Sequence, residues 1–185
     1  MKPERLHGVC VLLISSSVLM LAGCSASSAP KPQFTIPMAA ESVVRADDSV
    51  IVDVSNASGV SLAEYERQRI LDRIKQKINE RKLSNPGDGS PGNYEVHVVI
   101  TEYEKGSAFA RAMLAGLGQI HVRGSVAVYE LPARRLVGEF HVAKTFAWGG
   151  VYGASTSIED VEIGFAEGVA AAVTGSVDSG GETKK

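Results

Sequence analysis

The chain reads as an α+β protein: a two-layer sandwich with a mixed four-stranded sheet and both helices on one face. Three observations predict this. Apolar and polar residues alternate over three separate runs, the period of a half-buried strand. Two other runs repeat apolar residues at helical spacing behind a serine followed three positions later by an acid, the start of an amphipathic helix. The order is strand, helix, strand, strand, strand, helix. A strand–helix–strand unit followed by a meander leaves both helices on the same side of the sheet.

Ser49-Val50-Ile51-Val52-Asp53-Val54 is the first strand, with Val43 and Val44 as a possible backward extension. Ser61 and Glu64 form a capping box, and Ile70, Leu71, Ile74 and Ile78 then mark one helical stripe through about Lys82. Helix 62–82 holds seven basic and four acidic residues, which reads as a solvated face laced with ion pairs. Asn85 to Gly92 is a loop crowded with Gly, Pro, Asn and Asp. In the next strand Tyr94, Val96, Val98 and Ile100 share one face and Glu95, His97, Val99 and Thr101 the other. Ile120, Val122, Val126 and Val128 repeat the pattern, as do Leu136, Phe140, Val142 and Phe146, with Leu131-Pro132-Ala133 joining these two strands as a hairpin. Ser157 and Asp160 form a second capping box before Val161, Phe165, Val169 and Val173. Gly164 and Gly168 predict close packing of this helix on the sheet.

Ahead of the domain, Lys2 and Arg5 precede a mostly apolar run from Val9 to Ala22. Fourteen helical residues reach only ~21 Å, short of the ~30 Å hydrocarbon core, so the run reads as a secretory signal peptide. Leu21-Ala22-Gly23-Cys24 is similar to the lipobox of bacterial lipoproteins. That resemblance implies cleavage between Gly23 and Cys24, lipid attachment at the Cys24 sulfur, and residence in the cell envelope. In Gram-negative lipoproteins of this kind an aspartate after the cysteine favours the inner membrane. Ser25 therefore implies an outer-membrane address facing the periplasm. Several acyl chains on one residue hold a protein far longer than a single chain does.

The expected organisation is a signal peptide over 1–23, a lipidated N-terminus and flexible tether over 24–47, an α+β domain over 48–175 and a disordered tail over 176–185. The only other cysteine, Cys10, lies in the discarded segment, so the mature chain has no disulfide and no four-cysteine zinc site. The net charge of −2 makes no electrostatic case for nucleic acid.

The stretch from Ile100 to Gly153 carries a second resemblance. Thr101-Glu102-Tyr103-Glu104-Lys105-Gly106 is followed by Arg111, Leu114, Gly116 and Gly118, then two strands and a glycine-rich turn. This resembles the lipoprotein family catalogued as domain of unknown function 4410, over residues 48–175. Leu131-Pro132-Ala133-Arg134 departs from the family, where Asp and a Thr-Gly turn are frequent. The resemblance implies an envelope location and a fold, and brings no established activity.

Few side-chain patterns point to chemistry. His97, His121 and His141 fall on the outward faces of three strands, where a shared metal is weighed against ordinary solvated histidines. The solvated reading is preferred, so no metal and no cofactor are expected. There is no nucleophile elbow, and the acid pairs Asp47-Asp48 and Glu159-Asp160 sit at a strand start and a helix first turn. Gly149-Gly150-Val151-Tyr152-Gly153 lacks the Lys-Ser/Thr ending of a phosphate loop. The expectation is a non-catalytic accessory module with an envelope protein partner. The alternatives are a small-ligand or metal-binding periplasmic domain, then an unrecognised hydrolase.

Partner contact is expected at Phe109, Arg111, Met113 and Leu117 together with Trp148 and Tyr152. Phe109, Met113 and Leu117 fall at i, i+4 and i+8, a stripe that either covers the sheet core or meets a partner. Trp, Tyr and Arg are enriched at binding hot spots.

Overall fold

The computed structural model describes residues 29–87, 89–113, 117–147 and 155–175. The expected signal peptide, Gly23, Cys24 and the C-terminal tail lie outside the described residues. Five strands form one sheet: β1 (Gln33–Ile36), β2 (Ser49–Asn56), β3 (Asn93–Glu104), β4 (Ile120–Glu130) and β5 (Arg135–Phe146). Among the described residues three α-helices accompany them: α1 (Glu64–Lys82), the short α2 (Ala108–Met113) and α3 (Ile158–Val173). The sheet order is β1-β5-β4-β3-β2, with β2 parallel to β3 and every other pair antiparallel. The mixed sheet, with α1 and α3 packed together against it, matches the expected class.

The strand count is a correction, five where four were expected. β1 lies inside the segment expected to be a flexible tether. Gln33-Phe34-Thr35-Ile36 covers the open edge of β5, and Phe34 leans on Phe140 with ring centroids 5.3 Å apart. Flanking prolines hide so short a run, yet an edge strand tolerates them. Val44, also within the expected tether, is fully buried.

The core forms where the alternation placed it. Val96, Val98, Ile100, Val126, Val128 and Phe140 are completely buried on the sheet, facing Ile70, Ile74, Phe165, Val169 and Val173 of the helices. Each such side chain contributes about 1.5–3 kcal/mol relative to exposure. The glycines are tight. A Cβ added at Gly124 would fall 2.9 Å from the Phe165 ring, and one at Gly168 2.8 Å from Val142.

Three details depart from the expected elements. The α1 box is set two residues later: the Glu66 carboxylate accepts the Ala63 amide at 3.0 Å, and Ala63 offers no acceptor in return. In α3 Ser157 and Asp160 do meet, the carboxylate accepting both the Ser157 amide and its hydroxyl. Leu136 is exposed, and its neighbour Val137 is buried instead, because the β4–β5 register shifts between Val128 and Tyr129.

Candidate functional site

The most elaborate constellation lies between the two long helices. Arg69, Arg73, Lys77 and Arg81 recur every fourth residue, so α1 presents them as one stripe. α3 answers with Glu159, Glu162 and Glu167. The Glu162 carboxylate has no exposed surface. It accepts two hydrogen bonds from Arg69, each 2.7 Å, one from Arg73, and one from the Tyr103 hydroxyl at 2.7 Å. Lys77 and Arg81 both reach Glu167, at 3.0 Å. Burial opposes ionisation of Glu167, yet hydrogen bonds from Lys77 and Arg81 outweigh it and hold its pKa below the ordinary value. Burial, reinforced by the bond to Glu162, raises the Tyr103 pKa and keeps that phenol protonated as a donor. The ion pairs expected on this face are present, but Arg69, Arg73, Lys77 and Arg81 make them with acids of α3.

Glu66 extends the network. It is buried, accepts the Ala63 amide and pairs with Lys105 at 2.7 Å. This set of charges clamps α1, α3 and the end of β3.

The three strand histidines do point outward, but the structure does not bring them together. His97 pairs across the ladder with Ala127, His141 with Ser125, and His121 with Glu104 and Thr145. His97 lies 3.5 Å from Asp53 and Glu95. His141 shares a 3.0 Å hydrogen bond with Ser125, and His121 a 2.9 Å one with Thr145. Among the described residues one trio, Glu102, Glu104 and His121, brings ligand atoms within 4.8 Å of one another. A register shift between Ile100 and Glu102 creates it. Before the shift even-numbered residues face the core; after it Tyr103 is buried and Glu102 and Glu104 turn outward. Strict alternation pointed those glutamates inward, which is why the trio was missed. Glu102 is already tied to Arg123 at 3.0 Å.

A cleft of about 310 Å³ opens at the opposite end of the sheet, lined by Glu41, Asp47, Asp48, Tyr94 and Glu130 among others. Asp48 is structural here: its oxygens accept the amides of Arg45 at 2.7 Å and Gly92 at 2.6 Å.

Of the expected contact residues, Phe109 is 74%, Met113 67% and Leu117 55% exposed. The stripe does not cover the sheet core. Trp148, Tyr152 and the Arg111 side chain lie outside what the structure describes. No described helix is long and apolar enough to cross a membrane.

A sheet of this order with two long helices on one face, an inter-helix charge clamp and an uncovered apolar turn defines an α+β module. The chain belongs to the family described as domain of unknown function (DUF4410), whose model matches residues 37–150. No curated protein matches it. Among solved structures it is similar to the PelC dodecamer from Paraburkholderia phytofirmans, with TM-score 0.53 and 10% identity over 78% of this chain and 96% of that one. A variant of that PelC dodecamer in another crystal form gives TM-score 0.52 at the same identity and coverage. A Xanthomonas campestris protein assigned to DUF330 gives TM-score 0.46 at 10% identity, covering 82% of this chain and 98% of that one. At 10% identity the PelC likeness is one of fold.

Proposed function

We propose that the protein is a lipid-anchored module of the cell envelope, held to the membrane through Cys24, that acts by binding another envelope component and not by catalysis. The observation that carries the anchor is Leu21-Ala22-Gly23-Cys24, behind a basic start and an apolar run too short to span a bilayer. The polar groups favour a binding role. A general base needs a lone pair within reach of a substrate proton. Glu162, the most deeply buried carboxylate, spends its oxygens on Arg69, Arg73 and Tyr103. The exposed Phe109, Met113 and Leu117 form an apolar surface that the fold itself leaves unused.

Metabolic labelling with a palmitate analogue tests the anchor. Wild-type protein takes up label, and Cys24→Ser abolishes both labelling and processing. A labelled Cys24→Ser protein contradicts the reading. For the outer-membrane address, Ser25→Asp moves the protein to the inner-membrane fraction of a density gradient. Wild-type protein already in that fraction contradicts it.

A further inference from the structure

We infer that the end of the domain carrying α2 rests on the lipid surface that holds Cys24, with Phe109, Met113 and Leu117 entering it. This deepens the function proposed above and rests on its lipid anchor.

The path of the chain sets the orientation. β1 runs antiparallel to β5, with Gln33 beside His141 and Ile36 beside Glu139. Traced backward from Gln33, the chain therefore heads for the Phe146 end of β5. Pro30 is still alongside this strand: a Cβ added at Gly168 would meet Pro30 at 2.6 Å and Val142 at 2.8 Å. Phe146 pairs with Ile120, the first residue of β4, and α2 fills the connection from β3 to β4. The described N-terminal segment thus heads for the end of the sheet that carries α2.

Chain length makes this orientation the accessible one. Five Cα–Cα steps lead from Ala29 back to Cys24 and span at most ~18 Å. Four strand residues carry Val142 to Phe146, about 13 Å; seven carry it the other way to Arg135, about 24 Å. The anchor reaches beyond the α2 end and falls short of the hairpin end.

The surface at the near end suits lipid. The Ser107 amide donates to the Gly118 carbonyl at 3.2 Å, closing the base of the connection that holds α2. Phe109 and Met113 are among the most exposed large apolar side chains described. Such side chains bury readily at the boundary of headgroups and acyl chains. Apolar contact carries the docking, because Lys105 and Arg123 at this end are each paired to a glutamate. The tether makes the contact intramolecular, so a small patch suffices.

The test uses the full, lipidated chain in phosphatidylethanolamine–phosphatidylglycerol vesicles. Trp148, the single tryptophan, is replaced by Phe, and a reporter is placed by Met113→Trp or, at the far end, by Leu83→Trp. Leu83 is 73% exposed and follows the C-terminus of α1, so both sites accept the indole. Lipid brominated near the headgroup is expected to quench the tryptophan at 113 several-fold more than that at 83. Aqueous acrylamide shows the reverse. Equal quenching by brominated lipid at both sites overturns the inference, as does a tryptophan at 113 shielded from both quenchers, the mark of a protein partner or a second copy. Protein that fails to float with the vesicles overturns the anchor and the docking together. Flotation without lipid quenching at 113 overturns the docking alone.

Discussion

Glu162 accepts hydrogen bonds from two guanidiniums and a phenol with no surface left in solvent, so its partners depend on it as much as it depends on them. Removing one member of a buried charge set leaves the others uncompensated, which costs far more than a surface pair. Glu162→Ala is expected to lower stability by about 3–5 kcal/mol in urea denaturation, and Tyr103→Phe by about 1 kcal/mol. A loss under about 1 kcal/mol for Glu162→Ala would show the clamp to be incidental. Acid should weaken the same region. Burial raises the Glu66 pKa, but hydrogen bonds from Lys105 and the Ala63 amide override it, and the net shift is downward; Glu167 is likewise lowered. A lowered carboxylate stabilises the fold fully above its unfolded value and loses that contribution as pH falls through the folded one. The melting temperature is therefore expected to hold from pH 7 to about 5 and to drop below about 4.5. The drop should be shallower in Glu66→Gln, and a drop of equal depth would remove Glu66 from the account. The four-residue spacing of Arg69, Arg73, Lys77 and Arg81 was legible in the sequence. Their facing of α3 was not, because nothing local to α1 distinguishes a carboxylate partner from water.

α2 illustrates the same limit one level up. Its spacing announced an apolar stripe and could not say whether the sheet would take it in. The structure leaves Phe109 and Met113 exposed, so Met113→Asp should change stability by no more than about 0.5 kcal/mol. Unfolding of that variant would return the stripe to the core. Gly168→Val should behave oppositely, since even its Cβ would sit 2.6 Å from Pro30 and 2.8 Å from Val142. A cost of about 1–3 kcal/mol is expected, read from the denaturation midpoint. Strands were the most legible elements because alternation is a period-two signal with a buried face to enforce it. They became illegible where register shifts, at Ile100 in β3 and beside Leu136 in β5, and where four residues between prolines closed an edge as β1.

At the scale of the molecule, the sheet gives the chain two unlike ends. One receives the N-terminal segment and carries α2; the other holds the Leu131–Arg134 hairpin, the acidic cleft and the C-terminus of α3. The sandwich class, the helix face and the core were readable from pattern alone, while the position of the tether against β5 required the assembled sheet. The proposed envelope role depends on the tether more than on any single side chain of the domain. Mass spectrometry of the N-terminal peptide from membrane-purified protein tests it most directly. The account predicts a mature chain that begins at Cys24 and carries a diacylglyceryl thioether on its sulfur. A mature chain that begins elsewhere, or a Cys24 with an unmodified thiol, would contradict it.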